Sequence, residues 1–194
     1  MIPIYLLHGA ALLPSLYGPA YDKAFLRAAE QGDVPRLRVL LSQGANINAT
    51  QQNDWTALML AARDGRDHAA AFLIARHADV YHRTNIYYNY DALTLAAENG
   101  DIPLTKLLIA HRANVNAADN SGNTVLMQML GNSNIPPAKR MKLTKILLRA
   151  GANLNAKNAM GNTILSQEKI GLHSFYEGPR VRPLVYFLER LGAK

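Results

Sequence analysis

Nine tyrosines and one tryptophan are the side chains of this 194-residue sequence best suited to gripping a partner. Tyr81, Tyr87, Tyr88 and Tyr90 crowd into a single stretch with His82 and Arg83. Aromatic rings with a polar tip offer large contact area at low rotamer cost, which is the chemistry of an interface anchor. No catalytic pattern is spelled out in the same way. The sequence contains no G-x-S-x-G, H-E-x-x-H, G-x-G-x-x-G or phosphate-loop run. It has no cysteine, which removes thiol nucleophiles, disulfides, cysteine-ligated zinc and iron-sulfur clusters. His68 and His77 stand nine residues apart, and His77, His82 and His111 fall in or beside turns, so the histidines lack the spacing of a ligand set. No catalytic residue, cofactor or metal is expected.

Charge is the second candidate for chemistry. The chain holds 21 Lys and Arg against 14 Asp and Glu, a net charge of +7. Residues 1–60 carry four basic and four acidic groups, residues 61–120 six and seven, and residues 121–194 eleven and three, so the excess lies in the C-terminal third. Lys139, Arg140 and Lys142 form its densest cluster and are expected to face an acidic partner surface, or else to be a solvated face. A nucleic-acid partner is disfavoured, because Tyr87 and Tyr88 lie in the neutral middle of the chain, away from the basic excess. After Asp22 no uncharged stretch supplies the ~20 apolar residues that a membrane-spanning helix needs. Residues 1–20 contain no charged side chain and end in small residues, which reads as an export signal without its basic start, or as a segment covering the first helix pair. The first reading places the protein in the periplasm or outside the cell, the second in the cytoplasm.

The elements that position these groups come from a repeat. K-A-F-L-R-A-A at Lys23, T-A-L-M-L-A-A at Thr56, D-A-L-T-L-A-A at Asp91, T-V-L-M-Q-M-L at Thr124 and T-I-L-S-Q at Thr163 begin 33, 35, 33 and 39 residues apart. In the first three units Gly32, Gly65 or Gly100 follows, then a Leu-rich segment. A turn closes each of the first four units: G-A-N-I-N at Gly44, H-A-D-V-Y at His77, R-A-N-V-N at Arg112 and G-A-N-L-N at Gly151. Thr56, Asp91, Thr124 and Thr163 suit helix N-caps, and the Ala pairs 28–29, 61–62 and 96–97 permit close helix approach. His77 and Arg112 stand where glycine would be easiest, at an expected cost on the order of 1 kcal/mol each if the left-handed conformation is kept.

This pattern resembles the ankyrin repeat, over residues 21–194. The resemblance implies an all-α solenoid of about five helix-turn-helix units joined by fingers, at about 21–53, 54–88, 89–121, 122–160 and 161–194, after an apolar extension at 1–20. It also implies a non-enzymatic module, monomeric when free, that grips a protein with its finger tips and first-helix ends. The partner-binding residues would then be Gln52, Asn53, Trp55 and Arg63; Tyr81, Arg83, Tyr87, Tyr88, Tyr90, Glu98 and Asn99; and Asn120, Asn123 and Met160. Trp55 and Tyr90 carry a second reading, packing against the next finger. One role implied by likeness to small bacterial ankyrin proteins is inhibition or escort of a secreted effector or enzyme. Another is an adaptor between two proteins. Departures from the period, at Val80–Asp91, Gly131–Arg140 and before Pro183, are expected to project as loops.

The lengthened finger gives a direct expectation. Replacing Tyr87 and Tyr88 by alanine should leave helix content and melting temperature nearly unchanged, and should weaken partner binding by roughly 2 kcal/mol, about thirtyfold. Circular dichroism and a titration against the partner check both halves.

Overall fold

The computed structural model describes residues 13–51, 53–85, 89–167 and 182–193. Nine helices follow one another there: α1 (Leu13–Gln31), α2 (Val34–Ser42), α3 (Ala57–Arg63), α4 (Asp67–Ala75), α5 (Ala92–Glu98), α6 (Ile102–Ala110), α7 (Val125–Gly131), α8 (Pro137–Arg149) and α9 (Arg182–Arg190). Residues 164–167 add a helical turn, and only isolated bridges, Thr50 with Thr56 and Ala118 with Thr124, interrupt the helical pattern among the described residues.

Each helix starts and stops for a local reason. The side-chain oxygens of Thr56, Asp91 and Thr124 accept from the N–H of Met59, Thr94 and Met127, satisfying a donor that the first turn cannot. Asp33 and Asp101 do the same for α2 and α6, where proline occupies an early position that needs no donor. Every second helix from α2 to α8 ends in a left-handed residue whose N–H turns back to the last turn. Gly44 and Gly151 fill that place at φ of 95° and 94°. His77 and Arg112 hold it at 64° and 65°, so the strain expected at these two side chains is present.

The helices form two layers. The first helices α1, α3, α5 and α7 pack in sequence as an inner layer, and α2, α4, α6, α8 and α9 as an outer one. Small side chains set the separation: Ala28, Ala29, Ala61, Ala62, Ala96 and Ala97 are all fully buried or nearly so. Within each Leu pair of the outer layer one side chain is buried and its neighbour half-buried, as with Leu40 and Leu41, Leu108 and Leu107, and Leu147 and Leu148. The core is continuous from Phe25 to Leu188.

α1 runs unbroken across residues 20 and 21, with Gly18, Pro19 and Asp22 inside it. The extra residues at Gly131–Arg140 do not project as a loop. Ile135 is buried against the third unit, Pro136 and Pro137 launch α8 immediately, and the remaining length goes into a helix of 13 residues where α2, α4 and α6 have nine. Burial of one apolar side chain and a proline start together decide this outcome.

Polar ties run across the stack at both ends of the helices. Asn48 accepts from the N–H of Asp79, and Asn116 accepts from the N–H of Asn153 while donating to the carbonyl of Gly151. Asn155 repeats the donation to Gly192. In the second unit Tyr81 takes the place of this asparagine and is 59% exposed. Neighbouring fingers also touch: Ala159 donates its N–H to the carbonyl of Ser121 at 2.8 Å. That approach depends on Gly122, at φ of 77°, where a Cβ would lie 2.8 Å from the Ala159 nitrogen. Gly161 has the same φ with open space beside it. Gly122→Ala should therefore destabilise by about 2 kcal/mol or more, against about 1 kcal/mol for Gly161→Ala, in paired urea titrations.

Candidate functional site

The inner layer and fingers share one face, and it carries a groove. α1 supplies Asp22, Lys23, Leu26, Arg27 and Glu30, and the first finger supplies Thr50, Gln51 and Asn53, to an open groove of about 770 Å³. Its neighbour along the face is Arg63, at the end of α3. The Arg63 guanidinium lies 5.3 Å from the centre of the Trp55 ring, donates to Asp64 at 2.7 Å and reaches Glu30 across the unit boundary at 3.4 Å. Hydrogen bonding to Arg63 holds the Asp64 carboxyl below its ordinary range against the opposing effect of burial. The guanidinium is thereby fixed in orientation while its side chain stays 41% exposed. A held, partly exposed arginine beside an aromatic ring is a ready contact for a carboxylate or a backbone carbonyl of a partner.

The structure sorts the residues singled out in the sequence. Gln52, Tyr87 and Tyr88 lie outside the described residues, as do the apolar run 1–12 and most of the insertion before Pro183. Asn53 and Asn120 are exposed at finger tips, and Met160 is 82% exposed at the tip of the fourth described finger. Trp55 and Tyr90 are half-buried with ring centres 6.2 Å apart, so finger-to-finger packing engages both rings. Arg83 is turned inward: it donates to the carbonyl of Asn89 at 2.7 Å and of Ala118 at 2.5 Å, stapling the second finger to the third, and its buried Nε has no hydrogen-bond partner among the described residues. Asn123 is equally engaged, accepting from Asn158 and Gln167 and donating to Asp119. Asn99 donates to the carbonyls of Ala62 and Arg63, and Asn132 repeats that tie to Glu98. The Glu98 carboxyl is half-buried and raised from its ordinary value by that burial and by Asp119. Lys139 and Lys142 are exposed on α8, whereas Arg140 folds back to the carbonyl of Leu130 at 3.1 Å.

A second cavity, of about 580 Å³, lies at the opposite ends of the inner helices. Arg63, Asp64, Asp67, Asn99, Asp101 and Lys139 contribute to its lining. No motif in the sequence connects the Asp64 and Asp67 carboxylates with Asp101. The signal was the repeat itself, since Asp67 and Asp101 open successive outer helices. Burial and the neighbouring Asp67 carboxyl push Asp101 up to about 6, with Lys139 and the N–H of Leu104 acting the other way.

Among the described residues no group of His, Asp and Glu could hold a metal ion, and no helix is long and apolar enough to cross a membrane. Stacked helix pairs in two layers, with fingers along one edge, define a helical-repeat solenoid of the kind that presents an extended binding face. Residues 25–88 match the family model for ankyrin repeats in three copies, and residues 93–136 match the model for ankyrin repeats in many copies. The chain belongs to the ankyrin repeat family. It is 33% identical over 119 residues to mouse ankyrin repeat and SOCS box protein 6, covering 60% of this chain and 28% of that protein. It is 31% identical over 121 residues to an ankyrin repeat-containing protein of Treponema pallidum (strain Nichols), covering 62% of this chain and 40% of that one. A bovine mitochondrial disaggregase matches at 30% over 95 residues, 49% of this chain and 13% of its own length. The chain thus spans less than half the length of each of these relatives.

The Asp67–Asp101 pair has a pH consequence. The folded-state pKa of Asp101 lies above its ordinary value of 3.8, so the folded protein binds this proton more tightly than the unfolded chain does. Its contribution to stability is full below that ordinary value and is lost as pH rises through about 6. Carbon-13 carboxyl NMR should show Asp101 titrating near 6, and Asp67→Asn should move the midpoint down. The variant should also lose less stability than the parent over that pH window.

Proposed function

We propose that the inner layer and finger tips of this ankyrin array, a protein-protein interaction module, grip one specific protein, and that the chain acts as an inhibitor or escort of that protein, for instance a secreted effector or enzyme. The observation that carries the reading is the Arg63 assembly: an arginine fixed by Glu30, Asp64 and the Trp55 ring beside the groove, with its side chain still partly open to solvent. Preorganisation of this kind lowers the ordering cost of binding. Met160, Asn53 and Asn120 extend the same face with exposed side chains. An adaptor joining two proteins through opposite faces is the second reading, supported by the cation-rich outer face of α8.

Affinity capture with the full chain, followed by hydrogen exchange of the purified complex, tests the two readings together. One stoichiometric partner protecting α1, α3 and the fingers supports the first, and two partners protecting both layers support the adaptor. In the first case Arg63→Ala should weaken binding by about 2 kcal/mol, and Met160→Ala by about 1 kcal/mol. Unaltered affinity in both variants would place the interface elsewhere.

A further inference from the structure

The basic charge is divided between the layers as well as along the chain. Outer helices α2, α4, α6, α8 and α9 carry ten Lys or Arg against two acidic residues, Asp67 and Glu189, whereas inner helices α1, α3, α5 and α7 carry three of each sign. The cations are also held differently. The ion pairs Arg63–Glu30 and Arg63–Asp64 belong to the inner layer, and the contact of His82 with Asp54 to the fingers. On the outer side Arg38 and Arg76 lie over Phe72, Lys145 over Phe187 and Arg190 over Tyr186, all within 6 Å of the ring centres. A ring steadies a cation without cancelling its charge.

Lys139, Lys142, Lys145 and Arg149 recur at steps of three or four residues, which places them along one face of α8. Thr105 and Thr144 are buried at equivalent places in α6 and α8, each bonding the carbonyl four residues before it, so Lys106 occupies on α6 the place that Lys145 holds on α8. The stripe therefore widens into a patch spanning two helices. Apolar side chains flank it at both ends of the array: Val39 on α2 is 52% exposed, Tyr186 on α9 is 62% exposed, and Leu191 follows α9.

From this arrangement we infer that the outer layer is a docking face for an anionic lipid bilayer. A broad surface of uncancelled Lys and Arg with exposed apolar side chains at its margins matches a negatively charged headgroup plane, where cations gain from the surface potential and apolar tips enter the interface. A linear polyanion needs a channel instead. The groove at α1 lies on the other layer, and the second cavity meets this face only at Lys139. Attachment is peripheral and reversible, and it leaves the inner face turned away from the lipid. The inference rests on the outer layer alone and stands apart from the grip proposed for the inner layer, while the adaptor reading would use the same outer face.

Sedimentation of the full chain with vesicles tests it. Vesicles of phosphatidylcholine and phosphatidylglycerol in equal parts should bind the protein and release it at high salt, and vesicles of phosphatidylcholine alone should not bind. Each Lys or Arg neutralised near such a surface weakens binding by roughly fivefold. Lys106→Gln, Lys142→Gln and Arg149→Gln together should thus cost about a hundredfold with unchanged circular dichroism; if that variant unfolds, Lys142→Gln alone should cost about fivefold. Trp55, the single tryptophan, should keep its emission maximum on vesicle addition, because it sits on the inner side. Binding to neutral vesicles, binding undiminished in the folded variant, or a blue shift of Trp55 would each overturn the inference. So would capture by polyglutamate or single-stranded DNA through the same three residues with no binding to anionic vesicles.

Discussion

A helix of seven residues closes too few hydrogen bonds to persist alone in water, and α3, α5 and α7 each have that length. Their survival rests on burial between neighbours. Six of the seven residues of α3 and of α5 are buried, so these helices have almost no surface of their own beyond Arg63 and Glu98 at their ends. Each first helix is roofed by an earlier unit and floored by a later one, which makes stability a property of the stack and not of any unit. The alanines matter for the same reason. Larger side chains at Ala61, Ala62, Ala96 or Ala97 would push the layers apart and leave voids along the whole interface.

Burial that complete leaves polar groups to be satisfied at the helix ends, and the array meets this with side chains borrowed from the next unit. Asn99 and Asn132 take up carbonyls at the ends of the preceding inner helices, while Asn48 and Asn116 link the turns at the outer ends. Arg83 performs a similar task between fingers. These ties set a fixed offset from unit to unit. Tyr81 is a local exception, replacing a linking asparagine with an exposed ring at the junction of the second and third units.

The two layers then become chemically different surfaces. On the inner side, oppositely charged groups compensate one another and leave a few oriented contacts, of which Arg63 is the best defined. On the outer side, cations rest on aromatic rings and keep their charge. A surface of the first kind favours shape-specific recognition, and one of the second kind favours less specific electrostatic attraction. Both can operate in one molecule because the layers face opposite ways.

The sequence by itself determined the period, the caps at Thr56, Asp91 and Thr124, the left-handed helix ends, including the strained ones at His77 and Arg112, and the alanine-lined interior. All of these are local, fixed by residues within one turn of helix or by spacing that repeats. Only the tertiary structure decided which polar residues face outward. Arg83, Asn99, Asn123 and Arg140 read as surface groups along the chain, yet each finds a carbonyl or amide on a neighbouring finger, helix or unit. The same holds for α8, where burial of Ile135 turned an apparent loop into a longer helix. It holds too for the charge, whose gradient along the sequence became a division between layers once alternate helices were sorted to opposite faces. Contacts between residues some thirty positions apart depend on how one unit sits on the next, and that offset is set by packing summed over the whole interface, which no single segment encodes.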